Sequence, residues 1–361
     1  MRKLLLIYTA VFLLVTTGVF ATIKSYTPAP VEIITSYTPS NFCGELQIKG
    51  IRRRLRHSKY HVVLLHYLCL RRCNASAEAR EAATAKTLQH SNARIVITVD
   101  DLATLYTLKQ YPSRIHFTGI NNSLESYKRI YPTRSHWCGV LEHPDYTLLL
   151  QFFDRINYPV QTVGLVYDRN TNTAQFITQM ACKQLRSTGV SVLLKPVTTT
   201  VDLEEAASDF EREHIDVVIT MVLNIYDHGH LLNTDTTSVV VRDIFSDFIL
   251  VGFNPAMLED DYELVVSVSF ESMGYTVADM ALRGECEVVT SPTYIYVNLQ
   301  QLERFPVLYS NYLLMKREVS RYVKEVVAGT QVCRQLDTNS TGRYVSHTDS
   351  SASSTEKSTG E

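Results

Sequence analysis

The residues best suited to chemistry stand at the ends of short apolar runs. Ser36 and Tyr37 follow 31–35, Asp100 and Asp101 follow 95–99, and Thr118, Asn121 and Asn122 follow 115–117. Asp168 and Asn172 follow 162–167, Asn224 follows 215–222, and Asn254 follows 248–252. Hydroxyls, amides and carboxylates placed together can replace the water hydrogen bonds that a small polar solute gives up on binding. Each residue type also has a local use, because Asp, Asn and Ser end strands and cap helices through the nearby backbone. Asp100 and Asp101 suit an amino group, whereas the N–H groups at the start of the next helix suit an anion. One of the two aspartates is expected to cap the helix that begins at Leu102.

Other clusters point to catalysis or metal. Asp227-His228-Gly229-His230 brings two histidines close together, and Cys43 or Cys138 could serve beside them as a thiol nucleophile. No third ligand, nucleophile elbow or phosphate loop accompanies them, and the glycines fit neither GxxxxGK nor GxGxxG. The run is read as a loop, and no catalytic residue, metal or cofactor is expected. Cys69 and Cys73 are four apart, as in a zinc half-site, but no second pair stands at matching spacing.

The elements that must position these residues alternate. Residues 31–35 read as a strand, 44–57 as a helix, 61–69 as a strand, and 75–90 as a helix former. Residues 95–99, 102–109 and 115–117 then read as strand, helix and strand, and 137–141 as a connecting run. The pattern restarts with helices expected at 146–156, 174–188, 203–213 and 235–246 and strands at 162–167, 190–194, 215–222 and 248–252. Beyond Gly252 come a strand at 264–270, a helix at 272–283 closed by Gly284, a strand at 293–298 and a long helix at 309–328. Alternation of this kind makes doubly wound parallel sheets, and ligands sit beyond the carboxyl ends of such strands. Two α/β units in one chain imply two lobes with a cleft between them.

Composition sets the outer bounds. With 361 residues, 45% apolar, the chain can bury a proper core in each of two domains, and its formal charge of −2 gives no global field for nucleic acid. Residues 1–21 carry Arg2 and Lys3, an apolar stretch from Leu4 to Phe20 and a small-residue end at Ala21. That is an export signal, or an uncleaved inner-membrane anchor formed by 4–20, and it places the protein in the periplasm or outside the cell. Seven cysteines in an oxidising compartment can form disulfides, with at least one thiol left over. The arginines at 52, 53, 54 and 56 read as a solvated helix face. The tail 334–361, rich in Ser, Thr and charge, is expected to be disordered.

Several stretches taken in order resemble the exported ABC-transporter substrate-binding proteins of the type 1 periplasmic-binding fold, in the branch whose solutes are mostly unassigned. They are the first strand running into Ser36-Tyr37, the Val99-Asp100-Asp101 turn, Phe117-Thr118-Gly119-Ile120-Asn121 and Cys138-Gly139-Val140-Leu141-Glu142. Val163-Gly164-Leu165-Val166-Tyr167-Asp168, Ser272 to Gly284 and Val297-Asn298-Leu299 complete the set. The resemblance covers roughly 31–305. It implies two lobes joined by three crossovers, near Gly139, at 267–270 and at 291–294. Lobe one is then 31–139 plus 270–292, and lobe two is 140–269 plus 293–333. Two departures stand out: 67–73 replaces a usually polar strand end, and 309–333 runs past the usual end. The resemblance implies capture of a small polar or amino-acid-like solute for the membrane permease of an ABC importer, without turnover. A ligand sensor signalling to a membrane kinase or cyclase, and a metal-dependent or thiol enzyme, are the rival readings.

Overall fold

The computed structural model describes residues 31–37, 41–58, 60, 63–67, 82, 85–86, 93–110 and 115–326. The expected signal or anchor, Cys69, Cys73, Cys333, most of the helix expected over 75–90 and the tail 334–361 lie outside them.

The first sheet has six strands: β1 (Val31–Thr35), β2 (Val63–Tyr67), β3 (Ile95–Val99), β4 (His116–Ile120), β5 (Cys138–Leu141) and β13 (Val288–Thr290). Their order is β13-β5-β4-β3-β1-β2, and every pairing is parallel. Helices cover both faces, as strands buried on both sides require. On one face α1 (Phe42–Leu55) and α8 (Phe270–Arg283) pack Ile48, Ile51, Met273 and Val277 against Ile33 and Ile97. On the other, α2 (Asp101–Gln110) and α3 (Leu124–Ile130) bring Ala103, Leu108 and Tyr127 to Phe117. Glycine allows α1 and α8 to touch at backbone level: a Cβ at Gly274 would lie 1.9 Å from the Gln47 carbonyl oxygen, and one at Gly50 would lie 2.0 Å from that of Glu271.

The second sheet has seven strands in the order β15-β14-β12-β11-β8-β6-β7. They are β6 (Thr162–Asp168), β7 (Ser191–Val197), β8 (Val217–Thr220), β11 (Ile249–Gly252), β12 (Leu264–Val268), β14 (Thr293–Asn298) and β15 (Val323–Val326). Only β14 against β12 is antiparallel. One face carries α4 (Thr147–Arg155), α5 (Asn172–Arg186) and α10 (Pro306–Val319); the other carries α6 (Thr200–Arg212) and α7 (Thr234–Ile244). The spacing of Ala174, Ile177, Ala181 and Leu185 makes the buried stripe of α5. α6 starts at a reciprocal Thr199–Asp202 capping box. A short α9 (Leu299–Leu302) follows β14, and a two-stranded hairpin pairs β9 (Tyr226–Asp227) with β10 (His230–Leu231).

The chain passes between the sheets three times: from β5 to α4 through 142–146, from β12 to α8 at Ser269, and from β13 to β14 through 291–292. The structure corrects several expected elements. Residues 138–141, read as a connecting run, form a strand of the first sheet, so the first passage lies just beyond Leu141. Phe270 starts a helix and does not end a strand. The long helix expected to 328 stops at Val319, and 323–326 add a parallel edge strand held by the Ile295 N–H on the Tyr322 carbonyl at 2.9 Å. This C-terminal extension covers lobe two: Leu308, Tyr312 and Val319 are buried, and the Tyr312 hydroxyl donates to Glu325 at 2.7 Å. A disulfide joins Cys138, at the start of β5, to Cys286, just before β13, which removes Cys138 from the candidate nucleophiles.

Candidate functional site

At the carboxyl end of the first sheet the nominated residues meet, although mostly one another. The Ser36 hydroxyl donates to Asp100 Oδ2. Asp100 has φ = 87°, a left-handed conformation that Asp tolerates and that turns β3 into α2. Its N–H donates to the Thr118 carbonyl at 2.9 Å, and its own carbonyl accepts the Thr104 N–H at 3.0 Å. Tyr37 is buried with its ring against Gly44.

Asp101 is the first residue of α2, and its carboxylate serves the neighbouring loop and not its own helix. It accepts the Asn121 N–H at 3.0 Å, the Asn122 N–H at a longer 3.4 Å and the Tyr127 hydroxyl at 2.7 Å. Burial pushes the Asp101 carboxyl up to about 6, with Asp100 adding to the shift and these hydrogen bonds opposing it. The Tyr127 hydroxyl is pushed up in turn, by burial first and then by Asp101. Asp100 stands immediately before α2 and its carbonyl accepts the first helical N–H, that of Thr104, whereas the Asp101 carboxylate is turned to the loop.

The second sheet repeats the pattern. Asp168 accepts the Asn170 N–H at 2.8 Å, the Thr171 hydroxyl at 2.5 Å and the Asn224 side-chain amide at 2.7 Å. Asn224 also donates to the Thr171 hydroxyl at 3.1 Å, so Asp168, Thr171 and Asn224 form one network. Asn172 is exposed on the first turn of α5. Asn254 caps the one-turn helix Pro255–Leu258 by accepting the Ala256 N–H at 3.1 Å.

Among the described residues, hydrogen bonds cross from lobe to lobe at Asn122 and at Asn254. The Thr173 hydroxyl at the head of α5 donates to Asn122 Oδ1 at 2.9 Å, and the Asn254 amide donates to Cys43 Sγ at 3.2 Å. They bring the ends of β4 and β6 together and set the end of β11 on the head of α1, so the strand ends of the two sheets face each other. At the first passage, the His143 ring lies 5.4 Å from the Phe176 ring of α5. Burial holds the His143 imidazole below the usual histidine range, against hydrogen bonds with the Asn121 and Asn122 backbone. Asn122 stands in the strand-end set read from sequence, whereas Thr173 and His143 were not nominated from it. His143 is the second residue beyond β5 and becomes visible to the strand-end rule once 138–141 is recognised as a strand.

Among the described residues no group of three or more His, Cys, Asp or Glu is placed to hold a metal ion. Asp227 to His230 spans the exposed β9–β10 hairpin, whose turn uses positive φ at His228 and Gly229. No described helix is long and apolar enough to cross a membrane.

No family model matches the sequence, and no curated protein matches it. Solved structures do resemble it. A substrate-binding protein with adhesive properties from Clostridium difficile, in its ligand-free, open form, aligns with a TM-score of 0.60 at 13% identity, over 83% of this chain and 99% of that one. An ABC domain in complex with L-Trp from Streptococcus pneumonia aligns with a TM-score of 0.54 at 13% identity, over 82% of this chain and 99% of that one. A Lac repressor bound to ONPG aligns with a TM-score of 0.50 at 11% identity, over 77% of this chain and 83% of that one. With two mainly parallel sheets, helices on both faces of each and three passages between them, the chain has the type 1 periplasmic-binding-protein fold.

Proposed function

We propose that this protein is an exported solute-binding protein. It captures a small polar or amino-acid-like ligand between its lobes and presents the closed form to the membrane permease of an ABC importer, without chemical turnover. The observation that carries this reading is the pair of facing strand ends, bridged by Asn122–Thr173 and Asn254–Cys43. Rotation about 142–146, Ser269 and 291–292 would part these contacts and admit a solute, and closure would bury it. The Cys138–Cys286 disulfide supports export, because such bonds persist in oxidising compartments. Further support comes from the two binding proteins of the same fold, one of them solved with L-Trp. A repressor shares the fold as well, so the export assignment rests on the disulfide and the N-terminal sequence.

The test is a thermal-shift screen of the protein against amino acids, purines, sugars and oligopeptides. A ligand that binds only the native state stabilises it by about 2.7 kcal/mol at a hundredfold excess over its Kd. Stabilisation by one organic class supports the reading, and a flat response to every class refutes it.

A further inference from the structure

Charge is placed unequally on the two lobes, and the inequality falls at one end of the first sheet. A helix between parallel strands returns the chain to the amino end of the sheet, so α1, α2, α3 and α8 finish where β2, β4, β5 and β13 begin. That end is basic. The last turn of α1 holds Arg52 and Arg53, Arg56 follows it, and Arg94, Arg129 and Arg134 stand ahead of β3 and β5. The Arg53 side chain stays 70% exposed although it reaches Glu271 at 3.1 Å. Arg52 and Arg56 are exposed and make no ion pair among the described residues.

Little acid offsets these groups. Glu285 and Glu287 are the only acids in the described connections at this end, and Arg283 holds Glu285 at 2.8 Å. The undescribed residues of the same stretches, 59, 61–62, 87–92 and 111–114, add Lys59 and Arg114 and no Asp or Glu. The matching end of the second sheet is the reverse: 213–216, 245–248 and 259–263 carry Asp and Glu and no Lys or Arg. The formal charge of −2 for the whole chain hides this separation.

The chain that enters this end indicates what covers it. β1 begins at Val31, at the same amino end, and the apolar stretch Leu4 to Phe20 lies only ten residues ahead of it. Ten residues reach about 35 Å when fully extended. A bilayer holding that stretch lies within reach of the α1 arginines. The sole tryptophan, Trp137, precedes β5 at this end with the Arg134 guanidinium 5.4 Å from its ring, and Ile130 at the close of α3 is 55% exposed. Arginines beside a tryptophan and an exposed aliphatic side chain suit the interface of a bilayer.

We infer that the amino end of the lobe-one sheet is a membrane-docking face whose arginines take the phosphates of anionic lipid headgroups. A guanidinium pairs with two phosphate oxygens at once, and an apolar segment joined to a basic patch holds a membrane more firmly than either alone. The same surface repels the acidic end of lobe two. Lobe one is therefore the lobe laid on the membrane, and lobe two is left to rotate about the three passages. This does not depend on which solute the cleft takes.

The test mixes the full chain with vesicles of phosphatidylcholine alone or with phosphatidylglycerol added, each carrying a dansyl-headgroup lipid. Sedimentation gives the amount bound, and energy transfer from Trp137 to dansyl reports how closely this end of lobe one approaches the bilayer. Strong transfer per bound protein is expected with phosphatidylglycerol and weak transfer without it. Raising salt to about 0.5 M, where the Debye length is roughly 4 Å, should abolish the difference. Arg52→Gln/Arg56→Gln should lower the ratio of docked to undocked protein by about tenfold or more, since each basic side chain at an anionic surface contributes about a factor of five. Lys183→Gln/Arg317→Gln, which removes equal charge from exposed positions of lobe two, should leave it unchanged. Equal transfer on the two vesicles overturns the inference, as does equal loss in the two variants. A labelled oligonucleotide bound when anionic vesicles are not would give the basic end to nucleic acid and also overturn it. None of these outcomes bears on solute capture, which the thermal-shift screen tests separately.

Discussion

Removing the Cys138–Cys286 disulfide tests how the two lobes depend on each other. The bond spans 148 residues, and that loop contains most of lobe two. If both lobes unfold together, the chain-entropy relation for a loop of this length gives a loss of about 5 kcal/mol. If lobe two stays folded while lobe one opens, its core still holds Tyr146 and Thr293 in place, because Tyr146 is buried and Thr293 pairs with Val268. The free loop then shrinks to the two short segments from Cys138 to Tyr146 and from Cys286 to Thr293, about 15 residues in all, and the loss falls to about 3 kcal/mol. The assay is urea denaturation of wild type and a Cys138→Ser/Cys286→Ser double variant. The sole tryptophan, Trp137, is the natural probe: its ring lies 6.5 Å from that of Phe117 and 6.3 Å from that of Tyr127, so its fluorescence reports lobe one. Far-ultraviolet circular dichroism reports both lobes. Coincident transitions with the larger loss mean one cooperative unit, and an early fluorescence transition with the smaller loss means separate lobes. An unchanged fluorescence midpoint in the double variant would refute the reasoning.

Two further perturbations follow from the packing of lobe one. Gly274→Ala places a methyl group 1.9 Å from the Gln47 carbonyl oxygen and must push α1 from α8; a loss of about 3 kcal/mol is expected from such overpacking, and an unchanged urea midpoint would contradict the close approach. Asp101 gives a pH signature: its carboxyl is pushed from 3.8 up to about 6, so the native state binds that proton more tightly than the unfolded chain does. Its ionisation therefore costs stability, a cost absent below the unfolded value and complete above the native one. Wild type should lose about 3 kcal/mol from this group as pH rises from about 4 to 6. Asp101→Asn should lack that component, and equal slopes for the two proteins in urea titrations across this range would exclude it.

The sequence by itself determined the doubly wound character of both lobes. Strands such as 31–35, 95–99 and 293–298 are β-branched or aromatic runs with polar ends, and helices such as 172–186 carry their buried stripe at helical spacing. These are local signals, set by neighbours within a turn or along one strand. It also placed polar residues just beyond strand ends, because Ser36 follows β1 and Asp100 follows β3, and the two meet there. The three-residue β13 and the edge strand β15 escaped it, since each is defined by the strand it pairs with: β13 by β5, β15 by β14. Only the tertiary structure decided which polar groups are spent and which are left. Asp101 finds its partners 20 to 26 residues away, Ser36 meets Asp100 across 64, and Asn224 meets Asp168 across 56. A carboxylate has the same local sequence whether it faces a solute or ties down a loop. The choice depends on which backbone N–H groups the sheet register carries to it, and that register is a property of the folded lobe.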